Sequence, residues 1–176
     1  MQLRVAANNE ILVHRDCCAL GYYKDPEATK KAYEGEWFHS EDAGYLDEDG
    51  HFMYFDRLKD MASLANGVSF SPQYIESRLR FSTYVKDGFV VAGEERSFLG
   101  ALINIDYEVV GNWAEKRKIP YTTFTDLSQK PEVIELIRKE VQIVNKTLPQ
   151  ETRIKRFICL AKEFDADEAE LTRTRK

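Results

Sequence analysis

Asp42, Arg57 and Lys59 are the side chains of this sequence best suited to hold a ligand. They stand in the stretch 37–67, which reads WFHSEDAGYLDEDGHFMYFDRLKDMASLANG. A carboxylate such as Asp42 accepts hydrogen bonds in pairs and can grip two neighbouring hydroxyls. The guanidinium of Arg57 offers a planar fork of donors, and the ammonium of Lys59 is a mobile point charge. Together they suit a sugar or a nucleotide. On chemistry alone a second reading stays open, a β-hairpin whose exit charges are solvated and contribute little.

The elements that must position these groups can be read from turn chemistry and periodicity. Asp49-Gly50 sits between two apolar runs, and that dipeptide in that setting is a strong hairpin signal because the turn needs positive φ. The run from Phe52 to Phe55 alternates as a strand does. Upstream, residues 2–6 and 10–14 read as two strands joined by Ala7-Asn8-Asn9, a turn in which Asn tolerates positive φ. Asp25 is a good N-cap for a helix through Tyr33, with Pro26 at its first position and Glu27 in its first turn.

Downstream of Gly67, Ser71 caps a helix with Pro72 in its first turn and Tyr74, Ile75 and Leu79 on its buried face. Residues 88–92 and 99–105 are apolar strand candidates joined by the polar turn 93–96. Asp106 caps a helix to about Lys116, with Val109, Val110 and Trp113 inward. Asp126 opens a short turn. Pro131 begins the longest helix, to about Thr147, on which Val133, Ile134, Ile137, Val141 and Val144 keep helical spacing. Residues 156–161 form the last strand candidate. This order predicts a mixed α/β (α+β) unit over 57–176, preceded by a β-rich piece, 1–56, with too little apolar surface to build a core alone.

Length and composition narrow the class. The chain has 176 residues, 43% hydrophobic and 31% charged, with a net charge of −5. That balance suits a globular protein and argues against nucleic acid as a partner. No apolar run approaches the roughly 20 residues of a membrane span, so membrane association is expected to be peripheral at most and the location cytoplasmic. Cys17, Cys18 and Cys159 are expected to be reduced and structural, and His14, His39 and His51 lack metal-ligand spacing, so no residue is assigned to a metal.

The motifs of 37–60 resemble those of the acyl-adenylate-forming enzymes, the superfamily of acyl-CoA synthetases, luciferases and peptide-synthetase adenylation domains. Trp37-Phe38-His39-Ser40-Glu41-Asp42 is similar to W-F-x-T-G-D, Gly44 to Gly50 matches G-Y-L-D-E-D-G, and Asp56-Arg57-Leu58-Lys59-Asp60 resembles D-R-x-K-D. Gly21 to Thr29, GYYKDPEAT, continues the likeness. The resemblance implies that Asp42 and Arg57 contact the ribose of the nucleotide and that Lys59 is the hinge between a large N-terminal domain and a small mobile C-terminal one. It implies a division into 1–56, the β-rich tail of the first domain, and 57–176, the second. Leu171 to Lys176, LTRTRK, resembles the closing L-T-P-T-x-K, whose Lys meets the carboxylate and α-phosphate during adenylation. That makes Lys176 the catalytic candidate.

Residues 113–121, Leu64 to Gly67 with Ser71-Pro72, and 154–157 resemble bacterial long-chain fatty acyl-CoA synthetases. The implied reaction joins a fatty acid to coenzyme A with ATP and Mg²⁺, through an acyl-adenylate, and the loop at Asn66 and Gly67 would face coenzyme A. The chain departs from the pattern at Glu41, where Gly is usual, at Ser63, where Lys is, and at Arg173, where Pro is. It also carries no Gly-rich phosphate loop. The expectation is therefore the C-terminal part of a ligase that needs its N-terminal adenylation domain as partner, binds ATP, Mg²⁺ and CoA only weakly alone, and does not turn over alone. Two alternatives are a non-catalytic binding module of the same fold, and a fatty acyl-AMP ligase serving a carrier protein.

Overall fold

The computed structural model describes residues 2–92 and 97–163. It divides into two compact units, Met1–Met61 and Ala62–Lys176.

The first unit is built around one long strand. β1 (Leu3–Val5) and β2 (Glu10–His14) form an antiparallel pair, with Asn9 in the turn at φ 66°. α1 (Pro26–Ala32) follows, and the Asp25 carboxylate accepts the Ala28 N–H at 2.9 Å as its cap. β3 (Tyr33–Glu34) is brief, β4 (Trp37–Leu46) spans ten residues, and β5 (Phe52–Arg57) returns after a turn with Gly50 at φ 79°. β2 pairs along one edge of β4. β3 pairs with Trp37 and Phe38 on the other edge, and β5 takes that edge from Asp42 to Leu46. Residues 39–41 are therefore left without a neighbour there. Among the described residues the buried apolar side chains of this unit are Ile11, Leu12 and Ala43.

The second unit holds the contiguous apolar core, which runs from Leu64 to Cys159. β6 (Ala62–Ser63) and β7 (Ser69–Phe70) make a small hairpin around Gly67, whose φ is 80°. α2 (Pro72–Arg80) is capped by Ser71, whose hydroxyl accepts the Tyr74 N–H at 3.0 Å, and buries Ile75 and Leu79. β8 (Val85–Val91) and β9 (Leu99–Ile105) are antiparallel. α3 (Tyr107–Lys116), α4 (Phe124–Ser128) and α5 (Pro131–Lys146) then lead to β10 (Ile154–Cys159), which joins β9 in parallel. A parallel neighbour needs a long crossover, and the three helices supply it. The sheet order is β10-β9-β8.

The mixed α/β expectation holds, with local corrections. Where a turn at Asp126 was expected, α4 forms: the Thr123 hydroxyl accepts the Asp126 N–H at 3.1 Å, so Thr123 is the cap and Asp126 lies inside the helix. There Asp126 pairs with Lys130 at 3.0 Å, and that hydrogen bond holds its carboxyl below the usual range. On α3, Gly111 and Ala114 are buried with Val110, whereas Val109 and Trp113 are half-buried. Small residues win that face because the Tyr121 ring packs over it; a Cβ on Gly111 would lie 2.6 Å from the Tyr121 hydroxyl. β8 begins three residues before Gly88 and β10 two before Arg156, since Val85 and Ile154 bury their side chains beyond the polar residues that broke the apolar runs. The turn 93–96 lies outside the described residues. No helix of those described is long and apolar enough to cross a membrane.

Leu79 is fully buried, and a Cβ on Gly88 would lie 2.9 Å from its Cδ1 and 3.1 Å from its Cβ. We expect Leu79→Ala to cost roughly 2–5 kcal/mol through the cavity it leaves. Gly88→Ala should cost roughly 1–3 kcal/mol by overpacking. The double variant should lose less than the sum, because the side chain that Gly88→Ala strikes has been shortened. Thermal unfolding of the chain checks this; strict additivity would refute the contact.

Candidate functional site

Asp42 and Arg57 are directly opposed across the β4–β5 ladder. Arg57 Nη1 donates to Asp42 Oδ1 at 3.0 Å and to the Ser40 carbonyl at 3.4 Å. The Arg57 side chain is 55% exposed and that of Asp42 30%, so the pair is accessible and adds little to stability. Both line a groove of about 490 Å³ bordered by Tyr22, by Lys31 and Ala32 of α1, and by residues 38–42 of β4. The groove exists because β3 stops before β5 begins, which opens the edge of β4. Its volume falls in the range of small-molecule clefts.

The backbone kinks at the open edge. Glu41 has φ 58°, the left-handed region that favours glycine, and here it costs on the order of 1–2 kcal/mol. Its N–H is held at 3.1 Å by Glu10 Oε1, and its own carboxylate reaches Lys31 Nζ at only 4.0 Å. The other Glu10 oxygen lies 3.0 Å from His39 Nδ1, and Glu34 Oε2 lies 3.3 Å from His39 Nε2. The hydrogen bond to Glu10 is the largest cause that raises the His39 pKa above its ordinary value; partial burial opposes it and Glu34 adds to it. Burial, followed by the Asp42 and Asp56 carboxylates, pushes the Tyr54 phenol up as well.

The remaining candidates stand elsewhere. Lys59 is in a single 3-10 turn, Leu58–Asp60, that closes the first unit. Asn66 and Gly67 form the tip of the β6–β7 hairpin, where the Gly67 N–H donates to the Leu64 carbonyl at 2.8 Å and the Asn66 carboxamide accepts the Val68 N–H at 3.2 Å. Lys176 lies outside the described residues. Asp47, Asp49 and His51 converge at the exposed β4–β5 turn, where Asp47 Oδ1 accepts the N–H groups of both Asp49 and His51. The convergence is the turn's own capping. Cys159 is buried, and burial pushes its thiol up to about 11, away from reactivity.

Glu10, Lys31 and Tyr22 were not among the sequence candidates. Glu10 could have been suspected: it heads an apolar strand, and a carboxylate in such a position needs a partner. Lys31 and Tyr22 gave no such signal, because they reach the groove only through the packing of α1 and its approach on β4.

A family model of the AMP-binding enzyme C-terminal domain matches residues 59–176. The chain belongs to this family. Beyond the family match, the chain is 33% identical over 175 residues to the long-chain-fatty-acid–CoA ligase FadD15 of Mycobacterium tuberculosis, covering 99% of this chain and 29% of that protein. The adenylation domain of a carboxylate reductase from Mycobacterium chelonae shares the fold with a TM-score of 0.64 at 23% identity, over 99% of this chain and 28% of that one. The A-PCP didomain of the carboxylic acid reductase from Segniliparus rugosus, solved with AMP, gives a TM-score of 0.59 at 20% identity, over 95% and 22%. The chain thus spans less than a third of each of these relatives.

In this member of the AMP-binding enzyme C-terminal domain family, the kink at Glu41 makes a stability prediction. Glu41→Gly should stay within about 1 kcal/mol of the parent, relief of the left-handed backbone offsetting the entropy that Gly loses on folding. Glu41→Val should be clearly the less stable of the two. An ordinary exposed strand position would rank them the other way, and unfolding midpoints decide between the two.

Proposed function

We propose that this chain is the C-terminal part of an AMP-forming long-chain fatty-acid–CoA ligase, and that the groove at Asp42 and Arg57 holds the ribose of ATP and of the acyl-adenylate. The observation that carries the reading is the Asp42–Arg57 pair, set across one rung of the hairpin and exposed to one groove. A ribose diol has two adjacent hydroxyls, which a carboxylate can accept together, and the guanidinium keeps donors in reserve after pairing with Asp42. The name of the FadD15 relative supports the substrate class.

On this reading a fatty acid attacks the α-phosphate of ATP, releasing pyrophosphate, and the thiol of coenzyme A then displaces AMP from the acyl-adenylate. Lys176 would stabilise the negative charge that gathers when a carboxylate meets a phosphoryl group. Lys59 would be the hinge between the two half-reactions, with the boundary between domains close to it, and the Asn66-Gly67 tip would face coenzyme A. The reading assigns no metal ligand among the described residues; Mg²⁺ would be held with the phosphates by the N-terminal adenylation domain. The groove alone supplies only a few charge-assisted bonds, so ATP should bind weakly to this chain by itself.

The test is acyl-CoA formation by the complete gene product from ATP, coenzyme A and a fatty-acid panel, with hydroxamate trapping to isolate adenylation. Asp42→Ala and Arg57→Ala should each raise KM for ATP about tenfold or more while shifting Tm little, since the pair is exposed. Lys176→Ala should lose adenylation yet still make thioester from supplied acyl-adenylate. An inert parent, or an unaltered KM in Asp42→Ala, would overturn the reading, as would acyl-adenylate made by the 176-residue chain on its own.

A further inference from the structure

One buried carboxylate beside the groove has no part in the ligand contacts just assigned. Glu10, at the head of β2, is 5% exposed, and both of its oxygens are committed to β4: Oε1 to the Glu41 N–H at 3.1 Å, Oε2 to His39 Nδ1 at 3.0 Å. Ser40 adds a third tie. Its hydroxyl donates to the Ile11 carbonyl at 2.7 Å and accepts the Asp42 N–H at 3.1 Å. The β2–β4 register slips between Glu10 and Leu12, and the β4–β5 register between Ala43 and Gly44. Side chains of β2 and β4 therefore hold residues 39–42 where the ladder is irregular.

We propose that Glu10 and His39 are positioning residues for Asp42: their ion pair fixes the left-handed kink at Glu41, and with it the aim of Asp42 into the groove, so that nucleotide affinity depends on the charge of His39. The proposal rests on the reading of Asp42 as the ribose ligand.

The geometry explains why the charge matters. A neutral imidazole has one N–H and can donate to Glu10 or to Glu34, whereas the imidazolium donates to both. Either neutral tautomer leaves a ring lone pair facing a carboxylate. The charged groups around His39 are Glu10 from β2, Glu34 from β3, Lys31 from α1, Glu41 and Asp42 from β4, and Arg57 from β5. Lys31 and Arg57 face Glu41 and Asp42, at 4.0 and 3.0 Å, so the two nearest carboxylates set the balance at His39. The folded pKa is raised above 6.5, so the pair is fully formed below that value and is lost as pH rises through the folded one.

The experiment is KM for ATP and kcat of adenylation by the complete gene product, from about pH 5.5 to 9. The variants are His39→Arg, Glu10→Gln and Asp42→Ala. In the wild type, KM should rise roughly tenfold with pH, the scale of one lost charge-assisted bond, with kcat changing less. His39→Arg keeps a cation at every pH and should flatten that rise; comparing the two profiles cancels the titration of ATP itself. Glu10→Gln should raise KM most at the acidic end, where the wild type is best. Parallel profiles for wild type and His39→Arg would overturn the proposal, and that comparison stands even if Glu10→Gln does not fold. A KM unchanged in Asp42→Ala would instead overturn the ribose reading. In that event, hydrogen exchange at the Glu41 amide decides the positioning role alone: protection lost in Glu10→Ala supports it, and protection retained refutes it.

Discussion

A strand hydrogen-bonded along both edges leaves no backbone approach for a ligand at those edges, whereas an interruption in one ladder exposes its backbone there. β4 is paired by β2 along one edge, while on the other β3 ends at Phe38 and β5 begins at Asp42. That gap opens the edge of β4 along which the groove runs. Residues 39–41 lack a strand partner on that edge, the backbone turns into the left-handed region at Glu41, and the next residue, Asp42, meets Arg57 on the first rung of the hairpin. An exposed ion pair contributes little to folding. Its geometry is therefore a consequence of the hairpin register rather than a cause of it.

The two units solve the problem of stability differently. In the second, α2 and α5 contact each other and α2 lies on β8, with Ile75, Leu79, Val133, Ile137 and Ile103 all essentially out of contact with water. Burial on that scale is the ordinary driving force for a domain of this size. The first unit has little such burial and relies on strand pairing and on polar ties such as Glu10–His39 and Ser40–Ile11. Large apolar side chains stay exposed there, Leu20 and Tyr23 among them. A site resting on polar ties is more sensitive to protonation than one resting on packing, since a proton changes a hydrogen bond and leaves an apolar contact alone.

What was legible in the sequence was local. Asp25, Ser71 and Asp106 announced their helices because a cap is a bond between a side chain and a backbone N–H three residues on. Asp49-Gly50 announced the hairpin because the φ it needs is available to Gly, and the hairpin then put Asp42 and Arg57 together. Thr123 was not legible as a cap because Asp126, a better cap by type, stands three residues on. The β6–β7 hairpin was missed because two-residue strands carry no periodicity. Glu10 and His39, far apart in the sequence, meet only once β2 and β4 are paired in register, and no residue-type rule supplies that register. The interruption of β4 was unreadable for the same reason, since it lies in where β3 ends rather than in β4 itself.

Glu41 is where the open edge of β4 and the polar ties of the first unit meet. It stands where motifs of the kind this stretch resembles carry glycine, and its φ of 58° is one that glycine adopts without strain. A non-glycine residue persists in that conformation only when its surroundings over-determine it. Its own carboxylate does not do so, being exposed and 4.0 Å from an exposed Lys31. The backbone N–H does, through a buried Glu10 oxygen at 3.1 Å, and the other Glu10 oxygen is in turn fixed by His39. With glutamate at this position, the kink is held by the Glu10–His39 pair rather than by the freedom of the residue that makes it.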